Sequence, residues 1–305
     1  MRKKRWLYAA VGGGILFLFS EVTLREIWGF CDAPISIESE KYEYVFAPNQ
    51  DRKRFGQHVK YNSFSQRSEE PKKQKKKILG CGDSVLNGGV QTDQKNLATT
   101  LFEEKTGVQM LNISAGSWGP DNCAAYLKEK GTFGADGIIL VVSSHDAHDN
   151  MNWQTVVGQS VAFPDKQYKL AIWEVIDRYL LPRVVGLFKS TSSVNPNDPD
   201  AAVNAGIQKN GKEFNSGFAQ LKQLADNKKM HFVIYLHPEK SEVESGGYNE
   251  QGEEIINWAK ENGVTLYLGL EEGETLDGFR DNIHLNELGQ QRLAACFEKI
   301  YKGWQ

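Results

Sequence analysis

Five short apolar runs, at residues 77–82, 108–113, 136–143, 230–236 and 263–268, alternate with stretches of helical periodicity, and no other feature restricts the fold as much. Strands separated by helices cannot pair as tight hairpins. They form a parallel sheet whose crossovers lay helices on both faces, which predicts a three-layer αβα sandwich around a five-stranded parallel sheet. In such sheets the loops at the carboxyl ends of the strands gather along one edge, where ligands bind. The interval from 144 to 229 is expected to hold a helix near 168–189, a polar stretch from Ser190 to Asp200 acting as a mobile substrate loop, and a second helix near 212–229.

Two motifs fall on that edge. Ile78-Leu79-Gly80-Cys81-Gly82 reads as a buried strand ended by glycines, and it runs into Asp83-Ser84. Near the other end, Asp281-Asn282-Ile283-His284 sets a carboxylate three residues before an imidazole, a spacing that a short helical turn would place on one face. A serine hydroxyl is a weak nucleophile, so an imidazole must take its proton and a third group must hold that imidazole in the right tautomer. Ser84, His284 and Asp281 are therefore the expected nucleophile, base and orienting carboxylate. The competing reading of Ser84 is a turn residue that merely caps a helix.

Composition narrows the remaining classes. The chain of 305 residues is 40% hydrophobic with a formal net charge of −3, so it can build an ordinary core and has no broad basic surface for nucleic acid. Cys31, Cys81, Cys123 and Cys296 lack metal-ligand spacing; no metal site and no cofactor is expected. Arg2-Lys3-Lys4-Arg5 precedes the apolar stretch Trp6 to Ser20, an order that keeps the leading end in the cytoplasm. Residues 1–30 are expected to be an uncleaved single-pass anchor, because Phe17-Leu18-Phe19-Ser20 is too bulky for a peptidase; a cleaved signal peptide is the rival. Residues 31–76 read as a connecting segment with a strand over Tyr42 to Phe46, and residues 77–305 as the catalytic domain, placed outside the cytoplasm on the periplasmic or outer face.

With these residues in place, the chain resembles the SGNH (GDSL-like) hydrolase family over roughly residues 77–303. The resemblance is carried by Gly82-Asp83-Ser84-Val85-Leu86-Asn87-Gly88-Gly89, by Asn112-Ile113-Ser114-Ala115-Gly116-Ser117-Trp118-Gly119, and by Asp281 to His284 continued as Leu285-Asn286-Glu287-Leu288-Gly289. It implies a flavodoxin-like SGNH hydrolase fold and an oxyanion hole built from the amides of Ser84 and Gly119, with Gly116 as the near alternative. The family's Gly-x-Asn-Asp string is replaced here by Ser143-Ser144-His145-Asp146. His145 then takes the asparagine's place as oxyanion donor, a role that requires a neutral tautomer with its proton on the correct nitrogen. The cluster His145, Asp146, His148 and Asp149 could also be read as metal ligands, though a serine site needs none. Asp83, Trp118, Asp146 and His237 are expected to line the substrate cleft; Trp118 suits core packing equally well, and His237 suits a structural hydrogen bond at a strand end.

The expected activity is a serine esterase that removes ester groups, chiefly O-acetyl, from extracytoplasmic carbohydrate through an acyl-serine intermediate. The alternatives are a polysaccharide O-acetyltransferase and a catalytically silent glycan-binding or assembly protein on the same fold. The partners implied are a carbohydrate or acyl-ester substrate and the membrane, with oligomeric state open.

Overall fold

The computed structural model describes residues 2–159, 161–188, 209 and 211–305. The polar stretch Ser190 to Asp200 lies outside them. The chain begins with α1 (Arg2–Trp28), whose apolar window has a mean hydropathy of 1.7 and is almost wholly exposed. Two antiparallel hairpins follow, β1 (Ser36–Ser39) with β2 (Glu43–Phe46), and β3 (Gln50–Arg54) with β4 (Gln57–Tyr61). The sandwich is then built from β5 (Lys77–Gly82), α2 (Ser84–Asn87), α3 (Ala98–Thr106), β6 (Gln109–Ser114), α4 (Pro120–Lys130) and β7 (Gly137–Ser143). A helical stretch comes next, in which α5 (Ala171–Glu174) and α6 (Leu181–Phe188) are joined by one wider π turn, Val175–Leu180. The chain closes with α7 (Gly217–Lys228), β8 (His231–His237), α8 (Lys240–Ser245), α9 (Glu250–Glu261), β9 (Thr265–Leu268) and α10 (Glu287–Lys302).

The sheet order is β6-β5-β7-β8-β9 with every pair parallel, as the alternation of strands and helices predicts. Each strand begins within two residues of its expected start. Side chains alternate between the two faces. Leu79, Cys81, Ile138 and Leu140 pack with α4, α7 and α9, whereas Ile78, Ile139 and Val141 pack with α2, α3 and α10. Because β5 has β6 on one side and β7 on the other, the chain reverses direction across the sheet at β5. The crevice at its carboxyl end is the topological switch point where open α/β sheets take ligands. Gly82 ends that strand, and a Cβ there would lie 2.8 Å from the Val141 carbonyl oxygen, so only glycine lets β5 approach β7 so closely.

Residues 31–76 do more than connect. Tyr42, Tyr44, Phe46, Val59 and Tyr61 are buried in the same apolar cluster as the α4 side of the sheet, and Phe46 stacks on Tyr61 at 4.4 Å. Each such burial contributes on the order of 1.5–3 kcal/mol, so the hairpins hold firmly to the sandwich. The β3–β4 hairpin has no apolar alternation in Gln50-Asp51-Arg52-Lys53-Arg54 and was therefore not expected; backbone pairing and Val59 and Tyr61 on its partner strand form it. Arg67, fully buried, donates to the carbonyls of Asn87, Gly89 and Thr92 and so pins the loop that follows Ser84.

Candidate active site

Ser84 follows β5 directly and opens α2, whose first turn is capped by Asp83: its Oδ1 accepts the Val85 amide at 2.8 Å. Two hundred residues later the chain returns to the same edge between β9 and α10. Asp281 to His284 form no helix there. The Asp281 Oδ1 instead accepts the amides of Ile283 (2.9 Å) and His284 (2.7 Å), an Asx-type turn that folds the segment back on its own carboxylate. The expectation of a helical turn is corrected in this respect: a side chain to backbone turn brings the two groups together, and α10 starts only at Glu287, capped by Asn286.

The other carboxylate oxygen, Oδ2, meets the imidazole and also faces Arg280 Nε at 3.5 Å. His284 Nδ1 lies 2.9 Å from Asp281 Oδ2, and His284 Nε2 lies 2.9 Å from Ser84 Oγ. Nδ1 therefore carries the proton donated to the carboxylate, and Nε2 accepts from the serine hydroxyl, the tautomer that nucleophilic activation requires. His284 is only 5% exposed, which strengthens both bonds by excluding water. Behind it, fully buried His237 donates from Nε2 to the Ile283 carbonyl at 2.8 Å and holds the Asx turn from below. Burial pushes its pKa down to about 4, so it stays neutral.

Beside Ser84 and His284 lies a cavity of about 120 Å³, whose walls include Tyr44, Phe46, Asn87, Val90, Gly116 and Phe163. The structure corrects the oxyanion expectation here. The Gly119 amide donates to Asn122 Oδ1 at 2.8 Å within the first turn of α4, so it is already committed, while Gly116 borders the cavity with Ser84. The expected cleft residues are corrected as well. Trp118 is 2% exposed, with its indole N–H donating to the Tyr44 carbonyl at 3.1 Å. Asp83 caps α2, Asp146 accepts the Ser143 amide, and His237 supports the turn, all three within the interior. None of the four lines the cavity. Tyr44, Phe163 and Arg280, which do, carry no local signal in the sequence, since their positions depend on how distant segments pack.

His145 stands in an acidic surround. Its Nδ1 is 3.2 Å from Glu239 Oε1, and its Nε2 is 3.9 Å from Asp83 Oδ2 and 3.8 Å from Asp149 Oδ2, beyond hydrogen-bond reach. Burial favours the neutral ring, but the carboxylates of Asp146, Glu239, Asp149 and Asp83 outweigh it and raise the pKa to about 10. The acidic surround thus favours the protonated ring over the neutral tautomer expected from the sequence. The hydrogen bond from His145 holds Glu239 ionised, with its pKa lowered, whereas burial raises Asp146. Asp83, His145 and Asp146 each place one ligand-type atom within 4.8 Å of the others. His148 does not join them; it turns away to Glu254 at 2.8 Å.

The fold and this site define an αβα-sandwich protein with a Ser-His-Asp triad at the carboxyl edge of its parallel sheet. No protein-family model and no curated protein matches the chain. Its neighbours among solved structures are GDSL-type lipolytic proteins and esterases. One is a carbohydrate acetylesterase from Sinorhizobium meliloti, at 13% identity, covering 76% of this chain and 100% of that one, with a TM-score of 0.44. Another is a psychrotrophic esterase from Pseudoalteromonas, at 12% identity over 75% of this chain and 97% of that one, with a TM-score of 0.42. A member of the lipolytic G-D-S-L family from Veillonella parvula is similar at 11% identity over 74% and 98%, with a TM-score of 0.39.

Proposed function

We propose that the protein is a membrane-anchored serine esterase acting on ester groups of extracytoplasmic carbohydrate. The observation that carries the catalytic part is the unbroken chain of two 2.9 Å contacts from Ser84 Oγ through His284 to Asp281. In this mechanism Ser84 Oγ attacks the ester carbonyl carbon while its proton passes to His284 Nε2. The resulting imidazolium is stabilised by Asp281. It returns the proton to the departing alcohol oxygen as the carbon–oxygen bond breaks, leaving an acyl-serine. Water then repeats the cycle in the second half-reaction. The Ser84 and Gly116 amides and the Nε2–H of cationic His145 are the donors assigned to the oxyanion, each worth about 3 kcal/mol of transition-state stabilisation when well aimed.

The anchor rests on α1, whose cationic start Arg2 to Arg5 orients the remainder outward. Its last two turns are docked to the domain: Glu21 accepts the amides of Ala171 (2.7 Å) and Ile172 (3.0 Å), and the Phe55 amide donates to the Trp28 carbonyl at 2.8 Å. Cleavage between Glu21 and Trp28 would remove the contacts of Glu21 with Ala171 and Ile172, which supports retention of the helix. The deciding experiment treats the full chain and Ser84→Ala with a fluorophosphonate probe and with p-nitrophenyl acetate. The wild type is labelled and turns over and Ser84→Ala does neither; equal labelling or turnover of the two removes Ser84 from the reaction.

A further inference from the structure

The turn that seats the base seats a cation with it. Arg280 immediately precedes Asp281, and its amide donates to the His284 carbonyl at 2.8 Å, which closes the Asx turn with a backbone bond. Its side chain joins Ser84 and His284 in the wall of the cavity. The other arginines packed into this part of the domain are satisfied by protein. Arg67 donates to three carbonyls, Arg54 to Gly29, Glu174 and Tyr179, and Arg178 to Glu174 and Lys166. Arg280 differs from them. Its Nε, although buried, makes no hydrogen bond and meets Asp281 Oδ2 only as an ion pair at 3.5 Å; neither terminal nitrogen donates to any group among the described residues. A charged donor held out of water without an acceptor is unfavourable, and a ligand that supplies the acceptor removes the penalty.

The charges around the cavity agree. Among the described residues no aspartate or glutamate lines it, whereas Arg54, Arg280 and His284 do. Behind the wall each carboxylate is shared. Glu174 Oε1 accepts from both Arg54 (2.8 Å) and Arg178 (2.7 Å), and Asp281 Oδ2 faces both Arg280 Nε (3.5 Å) and His284 Nδ1 (2.9 Å). Two carboxylates thus serve three guanidiniums, and a fourth cation once His284 has taken the serine proton. An enclosed site with surplus positive charge attracts an anion. The planar guanidinium fork fits a carboxylate in particular, since it can bind both oxygens side by side. At about 120 Å³ the cavity has room for on the order of ten water positions, so an anion held at Arg280 belongs to the same small group as the ester that reaches Ser84.

We infer that Arg280 binds a carboxylate carried by the substrate and so selects anionic esters over neutral ones. The inference rests on the esterase reading of Ser84 and names the charge of its substrate. Either half of the ester can carry the carboxylate, and two matched pairs separate the sources. The p-nitrophenyl half-ester of adipate against p-nitrophenyl hexanoate tests the acyl side, and 4-acetoxybenzoate against its methyl ester tests the alcohol side. With the full chain in a non-ionic detergent, kcat/KM for the anionic member of one pair should exceed that of the neutral member by at least about tenfold. Arg280→Gln should bring that ratio down to about one, and Arg280→Lys, which keeps the charge and loses the fork, should retain part of it. Ser84-dependent turnover with a wild-type ratio near one in both pairs overturns the assignment and leaves the esterase standing. A ratio that survives Arg280→Gln, including one in which both members fall equally, also overturns it and assigns Arg280 to holding Asp281. Absence of Ser84-dependent turnover of every ester overturns both readings. The wild-type ratios need no substitution, so they decide the matter even if Arg280→Gln fails to fold.

Discussion

Replacing Asp281 by asparagine separates the two tasks that its carboxylate performs. Oδ1 holds the turn through the amides of Ile283 and His284, and Oδ2 faces His284 Nδ1 at 2.9 Å. Asparagine keeps an oxygen at the first position and so preserves the turn. At the second it presents an N–H₂, which obliges Nδ1 to accept and moves the ring proton to Nε2, where it faces Ser84 Oγ as a donor and blocks deprotonation. Reversal of the tautomer in a serine triad costs about 10⁴ in kcat, or about 5 kcal/mol of activation free energy at 1.36 kcal/mol per decade. The folding cost is smaller: one charge-assisted bond is lost, worth about 1.5–3 kcal/mol when buried, and less here because the side chain is 18% exposed. Asp281→Ala removes the two amide acceptors as well and should unfold at a lower denaturant midpoint than Asp281→Asn. The assay is kcat for p-nitrophenyl acetate alongside urea melts of both variants. A kcat for Asp281→Asn within tenfold of wild type would refute the triad, and equal midpoints for the two variants would refute the turn.

Three other outcomes follow from the same geometry. His145→Asn retains an N–H donor and should keep much of the activity, whereas His145→Ala should lose about 10²-fold in kcat; equal loss in both, with intact folding, would exclude the donor role. His237 stays neutral in the fold down to about pH 4, against an ordinary value of 6.5, so the unfolded chain takes up its proton first. Its contribution is present above pH 6.5 and is lost as pH falls toward 4, by up to about 3 kcal/mol; urea midpoints of His237→Gln should lack this part of the acid slope. Arg67→Met strips three carbonyls of their donor in the loop after Ser84 and should lower stability by about 3 kcal/mol together with kcat/KM; a fully stable, fully active variant would show that the loop holds without it.

Local sequence carried what depends on short-range physics. The alternation of apolar runs with helical periods specified five parallel strands to within about two residues, because burying both faces of a strand leaves an unmistakable composition. Ser84, Asp281 and His284 were legible for a related reason: few residue types supply a nucleophile, a base and a carboxylate, and the last two lie within one turn of chain. What surrounds them was not legible. Gly116 and Gly119 are equivalent as letters, and only the side chain of Asn122, folded back on the α4 start, takes one amide out of use. Trp118 and Asp146 look like cleft residues until the β1–β2 hairpin and the 3₁₀ turn after β7 enclose them. The acidic surround of His145 is completed by Glu239, ninety-four residues away. The sequence by itself thus determined the sheet and the serine, histidine and aspartate that meet at its edge, while the tertiary structure alone decided the cavity, the acidic surround of His145 and the seat of α1. The first group follows from periodicity and chemistry written in neighbouring residues, and the second from the distances between segments that only packing brings together.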